Sequence, residues 1–384
     1  MIPRLISLAV KKAAKTMPMV GILGPRQSGK TTLTQALFPD YKYVNLELPE
    51  NRHFAEDDPQ GFFSQYSDHV ILDEVQRVPL LFSYLQVKTD ADKIKGQYVL
   101  TGSQHFLMLG GISQTLAGRI ALFNLYPFSY EELKTVKKQS HNAPEQIWKG
   151  GYPRLYDQKT DIPLWFGSYI QTYLERDISL ISHIENLRTF ENFLHLAAGR
   201  SGQLLNLSSL ANDTGVSHNT IKSWLNLLET SGIIFLLKPF YTNINKRLIK
   251  TPKLYFVDTG LLCHLLGIHS SAQLPTYPLY GQIFETFVVS EYLKNIANHQ
   301  LFTKIYFWRN REGLEADLVI EGAKKLTLFE IKSSQTIPIT PFGHLPNIRS
   351  LIKKEGDNIL IYGGDGKQKR TNGIVLPWTQ MLQK

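Results

Sequence analysis

Gly24-Pro25-Arg26-Gln27-Ser28-Gly29-Lys30-Thr31 spell G-x-x-x-x-G-K-T, directly after an apolar run at residues 17–23. A loop of this spacing between a strand and a helix binds phosphate. Gly24 and Gly29 let the backbone curl so that successive N–H groups point inward at the anion. Lys30 then reaches the β- and γ-phosphates as a point charge, and the Thr31 hydroxyl ligates Mg²⁺. A helix is expected over residues 30–37, its positive end facing the same phosphates. Gly24, Pro25, Arg26, Gln27, Ser28, Gly29, Lys30 and Thr31 are thus the expected contacts of a bound nucleotide, ATP, with Thr32 following them.

A second motif lies downstream. His69-Val70-Ile71-Leu72-Asp73-Glu74 is a continuous apolar run ending in two carboxylates. Such runs belong to buried parallel strands, and the carboxyl ends of those strands are where open α/β sheets bind ligands. Asp73 is expected to hold Mg²⁺, directly or through water. Glu74 is expected to polarise the attacking water. A further strand over residues 97–100 runs into Thr101-Gly102-Ser103-Gln104. Ser103 is the candidate to sense the γ-phosphate there, with a simple turn as the competing reading.

The 384 residues leave room for two to four domains. An apolar content of 43% and a charged content of 20% describe an ordinary globular chain. Its single cysteine, Cys263, excludes a disulfide framework and a thiol zinc site, and it lies among leucines as a core residue would. No apolar stretch approaches the length of a membrane span, and the N-terminus lacks the pattern of a signal peptide. A cytoplasmic protein without a membrane partner is the expectation. The net charge of +9 and pI near 9.3 favour an anionic partner such as nucleic acid.

Strand-like runs at residues 19–23, 41–46, 70–72, 97–100 and 120–125 alternate with helical segments, the pattern of a parallel sheet covered by helices on both faces. Helices are expected over residues 163–180 and 187–198. Residues 207–231 then read as a helix opening at a serine cap, a turn at Gly215, and a second helix capped by Ser217. Gly232 ends it, and residues 233–237 read as a strand. This is the order of a winged helix-turn-helix, a unit that either reads a DNA groove or serves only as a packing module. Its second helix offers only His218, Asn219 and Lys222 for base contacts, with Glu229 opposing. The following segment is richer: Lys238, Lys246, Arg247, Lys250 and Lys253 alternate with Phe240 and Tyr241, which suits phosphate contact with stacking support.

Toward the C-terminus a helix at residues 281–293 precedes a strand at 304–309 and two more at 313–320 and 326–333. Asp317 lies on one strand of the resulting hairpin. Glu330 and Lys332 lie two residues apart on the next and so share a face. Two carboxylates and a lysine so placed suit a metal-dependent phosphodiesterase: Asp317 and Glu330 would bind Mg²⁺ or Mn²⁺, and Lys332 would orient or deprotonate the attacking water. Glu285 on the preceding helix would complete the metal shell, and Arg309 and Arg311 would contact phosphate. Lys332 is equally able to neutralise both carboxylates as a structural ion pair.

The ordering resembles bacterial and archaeal AAA-type ATPases fused to a C-terminal domain of unknown function that is similar to PD-(D/E)XK nucleases. The resemblance covers nearly the whole chain. It is carried by residues 24–32, 70–79 (with Asp73, Glu74 and Gln76), 100–103 and 125–129. It is also carried by Leu116-Ala117-Gly118-Arg119, Gly150-Gly151-Tyr152-Pro153 and Tyr173-Leu174-Glu175-Arg176-Asp177, then by residues 256–261, 281–291 and 315–333. It implies a P-loop core at residues 1–130, a helical lid at 131–200, a winged helix-turn-helix at 201–260 and an α/β nuclease-like domain at 275–384. Arg119 and Arg176 are candidate γ-phosphate or trans-acting arginines, or ordinary ion-pair partners, with Asp177 beside Arg176. The expected activity is ATP hydrolysis directed at DNA. The alternatives are a nucleotide-controlled DNA-binding regulator with an inert nuclease-like domain, and a protein-interaction scaffold.

Overall fold

The apolar run before the glycine-rich loop folds as β1 (Met19–Leu23), buried along its whole length, and the loop heads α2 (Lys30–Leu37), with α1 (Ser7–Ala14) preceding both. The structure, a computed structural model, describes residues 2–102, 116–157, 160–172, 186–241, 251–322 and 325–382. In chain order there follow β2 (Lys42–Asn45), α3 (Pro49–Asp57), α4 (Pro59–Gln65), β3 (Val70–Asp73), α5 (Leu81–Asp92), β4 (Tyr98–Gly102) and β5 (Ile120–Asn124). Among the described residues these strands form one parallel sheet in the order β2-β3-β4-β1-β5.

Alternate residues of β1 enter different cores, as the period of a strand requires. Met19 and Leu23 pack with Phe62 of α4 and with Leu81 and Leu85 of α5. Val20 and Ile22 pack with Val10 of α1 and Leu33 of α2 on the other side. Both faces are therefore covered by helices, and the carboxyl ends of β1, β3 and β4 are left clear for a ligand. Burying each Val, Ile or Leu of this strand contributes roughly 1.5–3 kcal/mol.

A helical stretch follows: α6 (Tyr130–Thr135), α7 (Ala143–Lys149), α8 (Arg154–Asp157), α9 (Ile162–Tyr169) and α10 (Leu187–Ala198). Ser129 and Glu132 close the start of α6 as a reciprocal capping box. The middle unit then runs β6 (Gln203–Leu204), α11 (Leu207–Thr214), α12 (His218–Thr230), β7 (Ile234–Leu237) and β8 (Lys253–Phe256). Its strands pair antiparallel in the order β6-β8-β7. Gly215, at φ +76°, makes the turn between the helices, and the Ser217 hydroxyl accepts from the Thr220 amide to cap α12. The cap of α11 differs from expectation. Asn206 rather than a serine accepts from the Ser209 amide at 3.0 Å, because it stands immediately before the first helical residue.

After α13 (Thr259–Leu265), the last unit contains α14 (Tyr280–His299), β9 (Lys304–Arg309), β10 (Glu315–Glu321), β11 (Leu326–Lys332), α15 (Leu345–Ile352), β12 (Asn358–Tyr362), β13 (Gln368–Arg370) and β14 (Gly373–Pro377). The sheet order is β13-β14-β12-β11-β10-β9, with the expected β10–β11 hairpin antiparallel and β11–β12–β14 parallel. A single apolar cluster runs from Phe128 to Met381 and joins the helical stretch, the middle unit and α14. Glu291 of α14 accepts from the Tyr130 amide at 2.6 Å and pairs with Lys294, so α14 is pinned to the start of α6. The turn at Gly232 (φ +72°) lies against the loop: a Cβ there would sit 3.1 Å from Pro25 Cδ.

Two residues expected on a nucleic-acid surface are withdrawn from it. Phe240 is buried with its ring against Tyr306, and Lys253 is 3% exposed, its ammonium drawn inward by carboxylates. Lys238 is exposed as expected. Lys246, Arg247 and Lys250 lie outside the described residues. Cys263 is buried in the core, and burial pushes its thiol pKa up.

Candidate functional site

The loop has the geometry its glycines permit. Gly29 stands at φ +92° as the residue heading α2, a left-handed conformation that a side chain would strain. At Gly24 a Cβ would lie 2.1 Å from the carbonyl oxygen of Leu125. Gly24→Ala is therefore expected to force the end of β5 outward at a cost of ~1–3 kcal/mol, read as a lowered thermal midpoint of the purified protein. An unchanged midpoint would show that this contact relaxes freely. Lys30 is buried, and its Nζ donates to the carbonyls of Gly24 and Pro25, both at 3.0 Å. Burial lowers the Lys30 pKa, and the charges of Glu74 and Asp73 offset part of that effect. The Ser28 hydroxyl is buried and has no hydrogen-bond partner, an acceptor-seeking group inside the phosphate cradle.

The two motifs meet as expected. Thr31 Oγ1 donates to Asp73 Oδ2 at 2.8 Å, so the paired Mg²⁺ donors of the sequence reading are in contact. Asp73 is buried, and it also accepts from Tyr43 OH at 2.6 Å and from Thr101 Oγ1. Burial and this hydrogen bond to Asp73 push the Tyr43 hydroxyl pKa up. Glu74 stands at φ +58°, a left-handed conformation that costs a non-glycine residue ~1–3 kcal/mol. Its Oε2 accepts from Gln76 Nε2 at 2.6 Å, and its amide donates to Thr101 Oγ1 at 3.3 Å.

A cavity of about 570 Å³ opens over the loop, lined by Lys30, Thr31, Thr32 and Glu74 on one side and by Phe128 and Pro153 on the other. Arg26 lines it as well and pairs with Glu47 at 3.1 Å. Arg4, from the segment before α1, buries its guanidinium beneath the loop. It donates to Ser28 O at 2.8 Å, to Tyr126 O at 2.6 Å and to Glu132 Oε1 at 2.9 Å. Tyr43, Thr101 and Arg4 were not singled out from sequence. Arg119 forms an exposed pair with Asp90, the ordinary ion-pair reading. Ser103, Arg176 and Asp177 lie outside the described residues.

The C-terminal carboxylates gather at a cleft of about 580 Å³ where the middle unit meets the last one. Asp317 Oδ2 accepts from the Ile331 amide at 2.7 Å, and Lys332 Nζ pairs with Glu330 Oε1 at 2.7 Å. Burial and the neighbouring charges of Glu285 and Glu330 push the Asp317 pKa well up. Glu285 Oε1 accepts from Tyr255 OH at 2.5 Å and from Lys253 Nζ at 2.9 Å. Lys253 also pairs with Glu315, whose other oxygen takes Arg309 at 3.1 Å. Arg311 is exposed. Of the four residues expected together, Asp317, Lys332 and Glu285 line this cleft, whereas Glu330 is not in its lining and meets it through the pair with Lys332. They do not converge on one point, however: among the described residues no three His, Cys, Asp or Glu side chains are set to hold a metal ion. The reason is local, since Glu285, Glu315 and Glu330 each direct an oxygen at an ammonium group.

Comparison with known proteins agrees with the sheet and the loop. Residues 16–134 match the family described as an AAA domain. Residues 140–272 and 280–381 match two domains of unknown function, DUF8612 and DUF4143. The chain is 31% identical over 342 residues to the uncharacterized protein Rv2008c of Mycobacterium tuberculosis, covering 86% of this chain and 74% of that one. An uncharacterized protein of Haemophilus influenzae is 27% identical over 284 residues, covering 64% of this chain and 68% of that one. Among solved structures, the Walker-type ATPase PABY2304 of Pyrococcus abyssi is similar with a TM-score of 0.41 and 16% identity, over 67% of this chain and 94% of that one. The chain belongs to the family of Rv2008c, and its residues 16–134 form an AAA-type P-loop domain.

Proposed function

We propose that the chain binds and hydrolyses ATP with Mg²⁺ at the glycine-rich loop, and that this ATPase acts on DNA through the units that follow. The observation that carries the reading is the junction of Lys30, Thr31, Asp73 and Glu74 at the carboxyl ends of β1 and β3. Loop amides, the start of α2 and the Ser28 hydroxyl would bind the phosphates, with Lys30 neutralising the β- and γ-oxygens. Thr31 and Asp73 are hard oxygen donors of the kind Mg²⁺ takes, and Mg²⁺ bound there neutralises charge on the transferring phosphoryl group. Glu74 would orient the attacking water and accept its proton. Ser103, one residue beyond β4, is the proposed γ-phosphate sensor. The purified protein is expected to release phosphate from ATP and to stop when EDTA is added. Absence of nucleotide binding at millimolar ATP would end this reading.

In the proposed division, an ATPase core at 1–130 and a helical lid at 131–200 precede a winged helix at 201–260 and a nuclease-like unit at 275–384. The order α11, Gly215 turn, α12 and antiparallel β7–β8 supports a winged helix-turn-helix, and the exposed side chains of His218, Asn219 and Lys222 lie on one outer face of α12. Replacing Lys246, Arg247 and Lys250 with Ala is expected to weaken DNA binding at all sequences. The slope of log K against log salt should flatten by about one for each phosphate that is no longer neutralised. Binding and slope equal to wild type would move the DNA surface elsewhere or favour the scaffold alternative. Among the described residues no helix is long and apolar enough to cross a membrane.

For the C-terminal cleft we propose a Mg²⁺ or Mn²⁺ site formed by Asp317 and Glu330, with Lys332 beside it and Glu285 opposite. Support comes from the crowding of carboxylates around Asp317: burial raises its pKa most, the charges of Glu285 and Glu330 raise it further, and a bound cation would relieve that repulsion. Asp317→Ala is expected to abolish calorimetric Mn²⁺ binding at this cleft. Equal binding by wild type and the variant would assign the cleft to the inert alternative.

A further inference from the structure

The C-terminal cleft contains a cation that the C-terminal unit does not supply. Lys253 belongs to β8 of the middle unit, inside the stretch matched at residues 140–272, whereas its carboxylate partners belong to the stretch matched at 280–381. It is a nearly inaccessible lysine on a four-residue strand, and a buried ammonium is costly unless carboxylates meet it. Two do, Glu285 and Glu315. Its ammonium also lies over the ring of Phe307, 5.6 Å from the ring centre. Tyr255, two residues on and so on the same face of β8, donates to the same Glu285 oxygen. The strand thus delivers two donors to one carboxylate of the neighbouring unit.

An ammonium and a divalent cation compete for the same lone pairs. Mg²⁺ demands oxygens at about 2.0–2.1 Å in near-octahedral order, which Glu285 cannot offer with Oε1 while Lys253 and Tyr255 hold it. We propose that Lys253 is the resident cation of this cleft, and that a divalent cation binds there only by displacing it. The proposal rests on the reading of the cleft as a Mg²⁺ or Mn²⁺ site. It makes the affinity of that site conditional on the position of the middle unit: with β8 seated as it is here, Lys253 holds Oε1 of both Glu285 and Glu315 against a metal. The register places the control element well, because β7, which begins two residues after the Gly232 turn against Pro25, pairs Leu237 with Lys253.

Calorimetric titration of Mn²⁺ into the full chain tests this with four proteins: wild type, Lys253→Met, Lys253→Met with Asp317→Ala, and Arg309→Met. Lys253→Met is expected to bind at least tenfold tighter than wild type, and the added Asp317→Ala to remove the gain. Arg309→Met takes the same charge from the same cleft without freeing Glu285, and is expected to change affinity less than threefold. An equal gain in Arg309→Met would reduce the effect to general charge and overturn the proposal. Asp317-dependent binding of equal strength in wild type and Lys253→Met would also overturn it while leaving the metal site standing. Absence of binding in every protein at millimolar Mn²⁺ would remove the metal site and the proposal together. A readout on the unmutated chain covers the case in which Lys253→Met fails to fold. Reductive methylation of Lys253, followed by mass spectrometry, is expected to rise severalfold when Mn²⁺ is bound, and unchanged protection with metal bound would overturn the proposal.

Discussion

Lys30→Ala should lose ATP affinity by at least about 100-fold, close to 3 kcal/mol, while remaining folded. Lys30 is already buried at the loop, where its ammonium spans the carbonyls of Gly24 and Pro25. Most of its desolvation has therefore occurred before nucleotide arrives, which is why burial lowers its pKa. Phosphate oxygens would restore what water no longer supplies, so the ammonium gains more from the ligand than an exposed lysine would. Alanine leaves the β- and γ-phosphates facing Asp73 and Glu74 with one fewer positive charge. Lys30→Arg should rescue poorly, because a planar fork is not a compact point charge and the loop closes around Nζ. Titration with a fluorescent ATP analogue, beside a circular-dichroism melting curve, reads both effects. An affinity within threefold of wild type would take Lys30 out of the phosphate site.

The loop was legible because its chemistry is contiguous: Gly24, Gly29, Lys30 and Thr31 must follow one another for the backbone to curl and the helix to begin. Asp73 and Glu74 were legible for a related reason, since a fully apolar strand that ends in carboxylates points to one edge of a parallel sheet. Tyr43 and Thr101 were not. They reach Asp73 because β2 and β4 flank β3, and sheet order is not written in any one segment. Arg4 belongs to no motif in the sequence. Its burial depends on Glu132 and on the loop carbonyl of Ser28, a long way along the chain. Lys253 shows the same limit from the other side. It sits at the end of a basic, aromatic-interleaved run that reads as a phosphate surface, yet the packing of α14 and β10 against β8 turns it into the partner of Glu285 and Glu315. The spacing of Glu330 and Lys332 put them on one face, and their 2.7 Å contact follows from it.

Glu74→Gln separates binding from chemistry. The substitution keeps the size of the side chain, and its carbonyl oxygen still accepts from Gln76 Nε2, so the left-handed backbone at this position should survive. Asp73, Thr31 and the loop are untouched, and ATP affinity should stay within about threefold of wild type. Phosphate release should fall by roughly 10²–10⁴-fold, the usual contribution of a positioned general base. Asp73→Asn provides the contrast. It removes a charge from the Mg²⁺ donors themselves, so it should weaken Mg²⁺-dependent binding as well as turnover. Single-turnover phosphate release at saturating ATP distinguishes the two variants, because it reads chemistry free of affinity. If Glu74→Gln turns over as wild type does, another group activates the water, and the strain held at Glu74 serves the Gln76 contact instead. If it binds ATP and fails to hydrolyse it, the Gln76–Glu74 hydrogen bond gains a mechanistic meaning. A carboxylate offers about four acceptor sites, so the donor from Gln76 fixes the orientation of Glu74 without preventing it from accepting a proton from water.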